Sequence, residues 1–401
     1  MNIKHAFASL KFPNYRLWFF GQLISLFGTW MQATAQGFLI YQLTTSPFYL
    51  GLVGFFSGVP TWFFTFYGGH VSDHMNRKKL LLITQISMMI LALILSLLTF
   101  FNVVKPWHIL VLAFLLGIVT SFDAPARHSF VVDLVDKSHM ANAISLNITM
   151  FNLSMIIGPA AAGFAYATLG AGWCFMLNCI SFIAVIIALM LMKIQSAPKK
   201  DSSFRVGFKE LKTYLYTKPF TIILLAVLAV TVMFGAAFMA IIPAWAVGVL
   251  NGDAKTNGLM LAIRGVGAVA ASLWIGINGV QNEKKLKNIS LITPFIIILF
   301  AISGNLIASL LLLFILGASF VLLANSSNIL IQENTEDHFR GRVMGAYSFV
   351  FFASMPIASL WIGVAAQYLG LQIAVVISAV VSFLLTAIIW IKSKSFFEAK
   401  I

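Results

Sequence analysis

Acidic residues, cysteine and charge in general are scarce in this chain. Among 401 residues, 12 are Asp or Glu and 9% are charged, whereas 60% are hydrophobic and the mean hydropathy is +0.95. Because so few charges cannot solvate the surface of a water-soluble protein, the composition excludes ordinary soluble domains. The two cysteines, Cys174 and Cys179, are five residues apart in one apolar segment. They would face different sides of a helix, so we predict no disulfide between them.

Sequence motifs of enzymes are also missing. No Ser-His-Asp set, phosphate-binding loop or cluster with metal-ligand spacing is present, and the seven histidines are scattered along the chain. We therefore predict no catalytic activity, no metal and no cofactor. A membrane-bound enzyme or a receptor-like sensor would need a catalytic constellation or an additional soluble domain, and the sequence shows neither.

Long apolar runs are abundant. About twelve segments are long enough, at roughly 20 residues, to cross a hydrocarbon core of ~30 Å as a helix. Alternating segments of about 10 residues, which are typical of membrane β-barrels, do not occur. We therefore predict an all-α membrane protein with 12 transmembrane helices and no cleavable signal peptide. The predicted segments are 17–42, 48–68, 80–102, 107–127, 141–168, 172–192, 219–249, 257–279, 289–305, 307–331, 342–367 and 371–391.

The basic residues fall almost entirely on one predicted side of the membrane. With a cytoplasmic N-terminus, 23 of the 26 Lys and Arg residues are cytoplasmic. Lys105 and Lys255 fall on the opposite side, and Arg264 falls inside a predicted span. This positive-inside pattern accounts for the net charge of +14 without any nucleic-acid partner. It predicts a multi-pass membrane protein with both termini in the cytoplasm.

The longest polar interval, residues 193–218, divides the chain into two halves of six predicted spans each. We predict one bundle at 1–192, a cytoplasmic linker at 193–218 and a second bundle at 219–401. An internal repeat at an offset of 200 supports this division. The matching pairs are Leu169-Gly170 with Leu369-Gly370, Gly163 with Gly363, and Asp133 and Asp136 with Glu333 and Glu336. Paired halves of this kind are typical of transporters, which bind substrate near the midplane of the membrane.

A dense polar segment, residues 69–79, follows the second predicted span. It contains Gly69, Asp73, Arg77 and Lys78 at the spacing of the loop motif of the major facilitator superfamily, which it resembles. Five further stretches resemble the branch that includes siderophore exporters of the enterobactin type and macrolide effluxers. They are residues 14–18, 28–32, 43–46, 122–126 and 157–163.

The resemblance implies the major facilitator fold, with two pseudo-symmetric six-helix bundles in a bacterial cytoplasmic (inner) membrane. It further implies a monomeric secondary active transporter of a small molecule, working by alternating access with protons as the coupling ion. Gly158-Pro159 resembles an element that is more frequent in exporters than in importers, so we expect export of a siderophore or drug. An importer of a small anionic solute remains the alternative.

Five charged residues are predicted to form cytoplasmic gates. The resemblance implies that Asp73 pairs with the opposite half and that Arg77 pairs with Asp123. An acid at membrane depth needs a cationic partner, which makes the second pairing plausible. Arg340 and Arg342 resemble a family element at the corresponding place in the second half, and we predict a weaker latch there. The alternative is that these charges only set topology and are solvated.

Substrate-binding candidates lie inside the predicted spans. Arg264 is expected to face a watery cavity and bind an anionic substrate, because an unpaired charge in hydrocarbon is costly; alternatively it reaches the membrane surface. Two polar stripes at helical spacing, Gln22-Ser25-Thr29-Gln32-Gln36 and Asn142-Ser145-Thr149-Asn152, indicate buried or watery helix faces. From them we select Gln32, Gln36 and Asn152, and we add Phe238 and Trp245 as an apolar wall. Hydrogen bonding between helices and simple packing are the alternatives.

Overall fold

The computed structural model describes residues 7–193, 208–279 and 282–398, and these ranges contain helices and no β-strand. The first half has six long helices and two short 3-10 turns. The helices are α1 (Pro13–Thr44), α2 (Pro47–His74), α3 (Arg77–Phe100), α4 (Pro106–Val132), α5 (Met140–Leu169) and α6 (Ala171–Leu191), and the turns are Ala8–Lys11 and Lys137–His139. The predicted all-α fold class is confirmed.

The second half begins with a short helix and continues with an interrupted one. These are α7 (Phe208–Thr217) and then α8 (Pro219–Val230), a π-helical turn (Thr231–Gly235), a 3-10 turn (Ala237–Ile241) and α9 (Ile242–Gly248). Five uninterrupted helices follow: α10 (Ala254–Asn278), α11 (Glu283–Ile302), α12 (Leu306–Glu333), α13 (Asp337–Leu369) and α14 (Leu371–Glu398). Most of the predicted linker (residues 194–207) lies outside the described residues.

Among the described residues, 11 helical segments are long and apolar enough to cross a membrane. They correspond to the predicted spans except the first, 17–42. That span is present as α1, whose 32 residues are long enough to cross a membrane. It is not among the 11 segments because these must also be strongly apolar. Its polar stripe, including Gln22, Gln32 and Gln36, lowers its hydropathy.

Local sequence explains where several helices begin. Proline occupies the first turn of α1, α4 and α8, where a missing N–H costs nothing. The Asn76 side chain accepts a hydrogen bond of 3.1 Å from the Lys79 N–H and so caps α3. Asn282 caps α11 in the same way, through a 3.0 Å bond from Lys285 N–H. The helices α3 and α11 therefore begin with the same kind of asparagine cap.

The chain divides into two compact units. The first comprises 1–45, 56–204 and 252–262, and the second comprises 46–55, 205–251 and 263–401. A core that includes Tyr15, Trp18 and Phe130 stabilises the first unit, and one that includes Leu224, Leu286 and Trp390 stabilises the second. The units differ from the predicted bundles at two short segments, 46–55 and 252–262, each of which packs with helices of the other half.

Glycines allow those two segments to pack closely. In the first unit, a Cβ at Gly258 would lie 2.5 Å from the carbonyl oxygen of Pro159 and 2.8 Å from the Cα of Gly163. In the second unit, a Cβ at Gly51 would lie 3.0 Å from the Cα of Gly363. Small residues at such crossings let helix backbones approach each other directly.

Candidate functional site

The Arg77 guanidinium binds Asp133 and not Asp123. Arg77 Nη1 lies 2.7 Å from one Asp133 carboxylate oxygen and 3.0 Å from the other. Asp133 follows the last residue of α4, at the same end of the first unit as the start of α3. Asp123 lies about 15 Å further along α4, beyond the reach of Arg77. The predicted Arg77–Asp123 pair is therefore wrong in this structure, and Asp133 is a partner that sequence reasoning missed.

Asp123 lies in a buried polar cluster inside the first unit. Its side chain is 1% exposed and accepts hydrogen bonds from the Thr84 hydroxyl at 2.8 Å and from Gln85 Nε2 at 2.9 Å. Arg127, one helical turn along α4, lies 3.3 Å away and supplies the positive charge. The i,i+4 spacing of Asp123 and Arg127 was the sequence signal for this pair.

Asp73 lies in the last turn of α2 and is only partly buried. None of the described residues forms an ion pair or hydrogen bond with its carboxylate. The predicted gate role of Asp73 stays a prediction.

We expect Asp123→Asn to lower transport about ten-fold and to destabilise the first unit by ~1–3 kcal/mol. The substitution removes the charge that Arg127 neutralises while keeping an oxygen that Thr84 and Gln85 can still bind. Transport in proteoliposomes and the melting temperature of the purified protein would measure the two effects. Asp136→Asn is the matched control, because Asp136 is exposed in the loop after α4. Equal behaviour of both variants would contradict the prediction.

The predicted latch residues Arg340 and Arg342 have different partners within the second unit. Arg340 pairs with Asp337 at 2.6 Å within the first turn of α13. Arg342 pairs at 2.7 Å with Glu210, which belongs to the short helix α7. Arg342 therefore joins α7 to α13, a contact that sequence reasoning did not identify.

Three further contacts hold α7 in place. The Tyr214 ring stacks on Phe339 with centroids 4.0 Å apart and planes at 11°. The Tyr214 hydroxyl accepts a 3.1 Å hydrogen bond from the Glu336 N–H. Lys218, directly after α7, pairs with the Glu336 carboxylate at 3.2 Å. Tyr214 is thus buried at the centre of the contact and anchors the helix.

Removing the Tyr214 side chain is expected to release α7. We predict that Tyr214→Ala raises deuterium uptake of the amides in residues 210–217 at least ten-fold, because stacking, burial and a hydrogen bond are lost together. Hydrogen exchange with mass spectrometry would measure the change. Tyr216→Ala is the control, since Tyr216 lies on the same helix and is 71% exposed. An unchanged exchange rate in Tyr214→Ala would show that the contact does not hold the helix.

Arg264 lies in α10 at a tight crossing with α12. A Cβ at Gly317 would overlap the Arg264 carbonyl oxygen, and a Cβ at Gly267 would overlap the Phe314 carbonyl oxygen. These two glycines fix the backbone position from which the Arg264 side chain extends. The side chain is partly exposed, and its Nε is buried without a hydrogen-bond partner. No described residue forms an ion pair with it.

The three amide candidates differ in their surroundings. The Gln32 Oε1 accepts a 2.7 Å hydrogen bond from Asn178 Nδ2 on α6, so Gln32 joins two helices as the packing alternative expects. Gln36 is 7% exposed and Asn152 is partly exposed, and neither has a hydrogen bond among the described side chains. The amide groups of Gln36 and Asn152 are therefore not engaged by any described side chain, whereas the Oε1 of Gln32 already accepts a hydrogen bond.

Phe238 and Trp245 are core residues of the second unit. Both are 1% exposed. Their rings pack on Phe300, with centroids 5.2 Å and 4.7 Å away respectively. Their burial and ring contacts agree with simple packing in the core, and not with an exposed apolar wall of a cavity.

The long helices and their arrangement within each unit can be compared with known proteins. A profile of the transmembrane secretion effector family matches residues 4–398, which is nearly the whole chain. The chain belongs to this family. It is thereby a member of the major facilitator superfamily, as the residues of the polar loop indicated.

Relatives of this transmembrane secretion effector include a staphyloferrin A transporter of Staphylococcus aureus (strain NCTC 8325 / PS 47). It is 24% identical, and the match covers 88% of this chain and 90% of that protein. Macrolide efflux protein A of Streptococcus pyogenes is 21% identical over 90% of this chain and 92% of its own length. A bacterial homologue of the human lysosomal transporter Spinster has the same fold, with a TM-score of 0.76, 12% identity and coverage of 96% and 98%. The chain is therefore a multi-pass membrane protein and a secondary transporter of a small molecule.

Arg264 has a neutral structural counterpart in the first half of the chain. A Cβ at Gly117 would overlap the Ser57 carbonyl oxygen, just as one at Gly317 would overlap that of Arg264. Gly117 and Gly317 are 200 positions apart, and Ser57 and Arg264 occupy the same place beside them. Where the first half has a small neutral side chain, the second half has a cation.

Proposed function

We propose that this transporter exports a small anionic or amphiphilic compound of the siderophore or drug class, by alternating access and in exchange for protons. The names of its relatives support this direction and these substrate classes, since they are a staphyloferrin A transporter and macrolide efflux proteins. The proposal for this chain depends on which of its own residues can recognise such a compound.

The observation that carries the proposal is the unpaired Arg264. A guanidinium near the middle of a membrane helix is costly unless it is paired or faces water. Its Nε is buried without a partner, and Ser57, which packs against Gly117 as Arg264 packs against Gly317, has a small neutral side chain. A carboxylate, catecholate or phosphate would supply the missing acceptors, and a planar guanidinium binds such groups with two parallel hydrogen bonds.

Gln36 and Asn152 are proposed as neutral hydrogen-bonding partners of the substrate. Both belong to polar stripes, on α1 and α5, and both keep amide groups that no described side chain satisfies. Neutral amides can bind hydroxyl and carbonyl groups without fixing the net charge of the ligand. Each of these amides would suit a polar, oxygen-rich compound.

Asp123 is proposed as a residue that couples transport to protons. It is a carboxylate 1% exposed inside a span, and its charge is balanced mainly by Arg127. Protonation of Asp123 would free Arg127, which gives the two protonation states different hydrogen-bond networks. Asp73 is proposed as the latch acid that the resemblance implies, and Asp73→Asn should reduce transport without affecting membrane insertion.

Purified protein in proteoliposomes with an imposed pH gradient would test direction, coupling and substrate class together. Staphyloferrin A and a macrolide would be offered on either side of the membrane. Movement of a compound against the direction of proton flow supports export by antiport. Movement with the protons, or movement that ignores the gradient, would overturn it and favour import or uncoupled transport.

A further inference from the structure

The helical segment 219–248 is interrupted, whereas its counterpart in the first half is not. A π-helical turn, Thr231–Gly235, and a 3-10 turn, Ala237–Ile241, separate α8 from α9. The first helix of the first half, α1, is continuous from Pro13 to Thr44. Single π-helical turns and short 3-10 stretches within a helix frequently mark functional hinges.

The backbone bonds across the interruption are irregular. The Ala236 N–H donates to the Thr231 carbonyl five residues back, at 2.8 Å, and the Met239 N–H donates to the Ala236 carbonyl only three residues back, at 3.1 Å. Pro243, in the first turn of α9, has no N–H to offer the Met239 carbonyl. The regular i,i+4 pattern therefore cannot continue through this segment.

Two side chains from neighbouring helices bind carbonyls of the π-helical turn. The Trp361 Nε1–H on α13 donates to the Met233 carbonyl at 2.8 Å. The Ser378 hydroxyl on α14 donates to the Phe234 carbonyl at 2.5 Å. The Phe234 and Trp361 rings also contact each other, with centroids 5.4 Å apart. All these residues belong to the second unit, and irregular backbone at membrane depth needs such protein partners.

The repeat-related contact in the first half is different in kind. Asn178, 200 positions before Ser378, donates its hydrogen bond to the side chain of Gln32 and not to a backbone carbonyl. In the first half, Asn178 therefore joins two continuous helices. In the second half, Ser378 instead binds the backbone of the interrupted segment. The interruption and its side-chain bonds are thus confined to the second half.

We propose that residues 231–241 form a hinge of the transport cycle, and that Trp361 and Ser378 are positioning residues that hold it in its interrupted form. The proposal rests on the alternating access proposed above. Opening of the hinge can be measured without any substrate, however, so the two proposals can fail separately.

The first test weakens the two side-chain bonds. Trp361→Phe keeps an aromatic ring and loses the N–H donor, and Ser378→Ala loses the hydroxyl. In nanodiscs, each variant is expected to exchange the amides of residues 231–241 about five-fold faster, the change that loss of one hydrogen bond allows. Trp274→Phe is the control, because Trp274 is 56% exposed and lies on α10. Exchange in α1 should stay unchanged in all of them.

The second test stiffens the hinge. Gly235→Ala places a methyl group where the nearest side-chain atoms would be 3.5 Å away, so it fits without a clash. Alanine restricts the backbone more than glycine does. We expect slower amide exchange in residues 231–241 and a lower kcat for transport with an unchanged KM. Gly276→Ala, at a glycine with open space around it, is the control.

Unchanged exchange of residues 231–241 in both Trp361→Phe and Ser378→Ala would overturn the positioning role of these two side chains. Faster exchange spread over α1 as well would also overturn it, since it would indicate general loss of stability. Altered exchange with an unchanged kcat for any compound that the protein transports would overturn the role in transport. Altered local exchange in a protein that imports its substrate would leave the hinge supported and the export proposal refuted.

Discussion

Replacing Arg264 with alanine is expected to lower kcat/KM for an anionic substrate at least 100-fold. Charge-assisted hydrogen bonds to a guanidinium each contribute about 1.5–3 kcal/mol, and two such bonds would be lost. The measurement is uptake or release of staphyloferrin A in proteoliposomes. The variant should remain folded, because the Arg264 side chain has no ion pair or hydrogen bond among the described residues that the substitution could break.

Two further variants separate charge from geometry. Arg264→Lys keeps the positive charge but not the planar pair of donors, so we expect it to recover activity only in part. Lys255→Ala removes an exposed cation from the same helix and should transport normally. Normal transport by Arg264→Ala would exclude Arg264 from the site and leave the recognition of an anion unsupported.

Replacing Gly258 with leucine is expected to reduce transport more than ten-fold for any substrate. A Cβ at Gly258 would lie 2.5 Å from the Pro159 carbonyl oxygen, which belongs to the backbone of α5 and cannot move aside as a side chain can. The substitution forces α5 and α10 apart at a cost of about 1–3 kcal/mol. Transport should fall because the proposed alternating-access cycle would lose this close arrangement of α5 and α10.

The chain offers a matched control on the same helix. Gly276 also belongs to α10, and nothing lies within 4 Å of a Cβ built there, so Gly276→Leu should transport normally. Gly163→Leu should reproduce the effect of Gly258→Leu, because the two glycines face each other. The double variant should lose little more than either single one, since residues in contact are not additive. A fully additive loss would show that the two positions act separately.

The fold could be predicted because it depends on composition and periodicity. A membrane helix satisfies its own backbone hydrogen bonds, so a long apolar run determines a span almost without tertiary information. The polar loop at 69–79 correctly indicated the superfamily, and Asn76 within this loop caps α3.

The pairing of charges could not be predicted in the same way. Arg77 could reach any acid near the end of α4, and the choice of Asp133 over Asp123 depends on how far each lies along that helix. The contact of Arg342 with Glu210 joins residues 132 positions apart, and nothing in their local sequence relates them. The polar stripe on α1 was correctly read as non-lipid-facing, but only the position of Asn178 shows that Gln32 bonds to a neighbouring helix.

By itself, the sequence determined an all-helical membrane fold, a superfamily and an arginine inside a span. These follow from the free energy of placing residues in hydrocarbon, which each short segment experiences on its own. Only the tertiary structure decided which carboxylate neutralises which cation, which amides keep free hydrogen-bonding groups, and where the helix after the linker is interrupted. Those outcomes depend on side chains from distant segments meeting at distances of about 3 Å, and no local pattern of residues encodes such meetings.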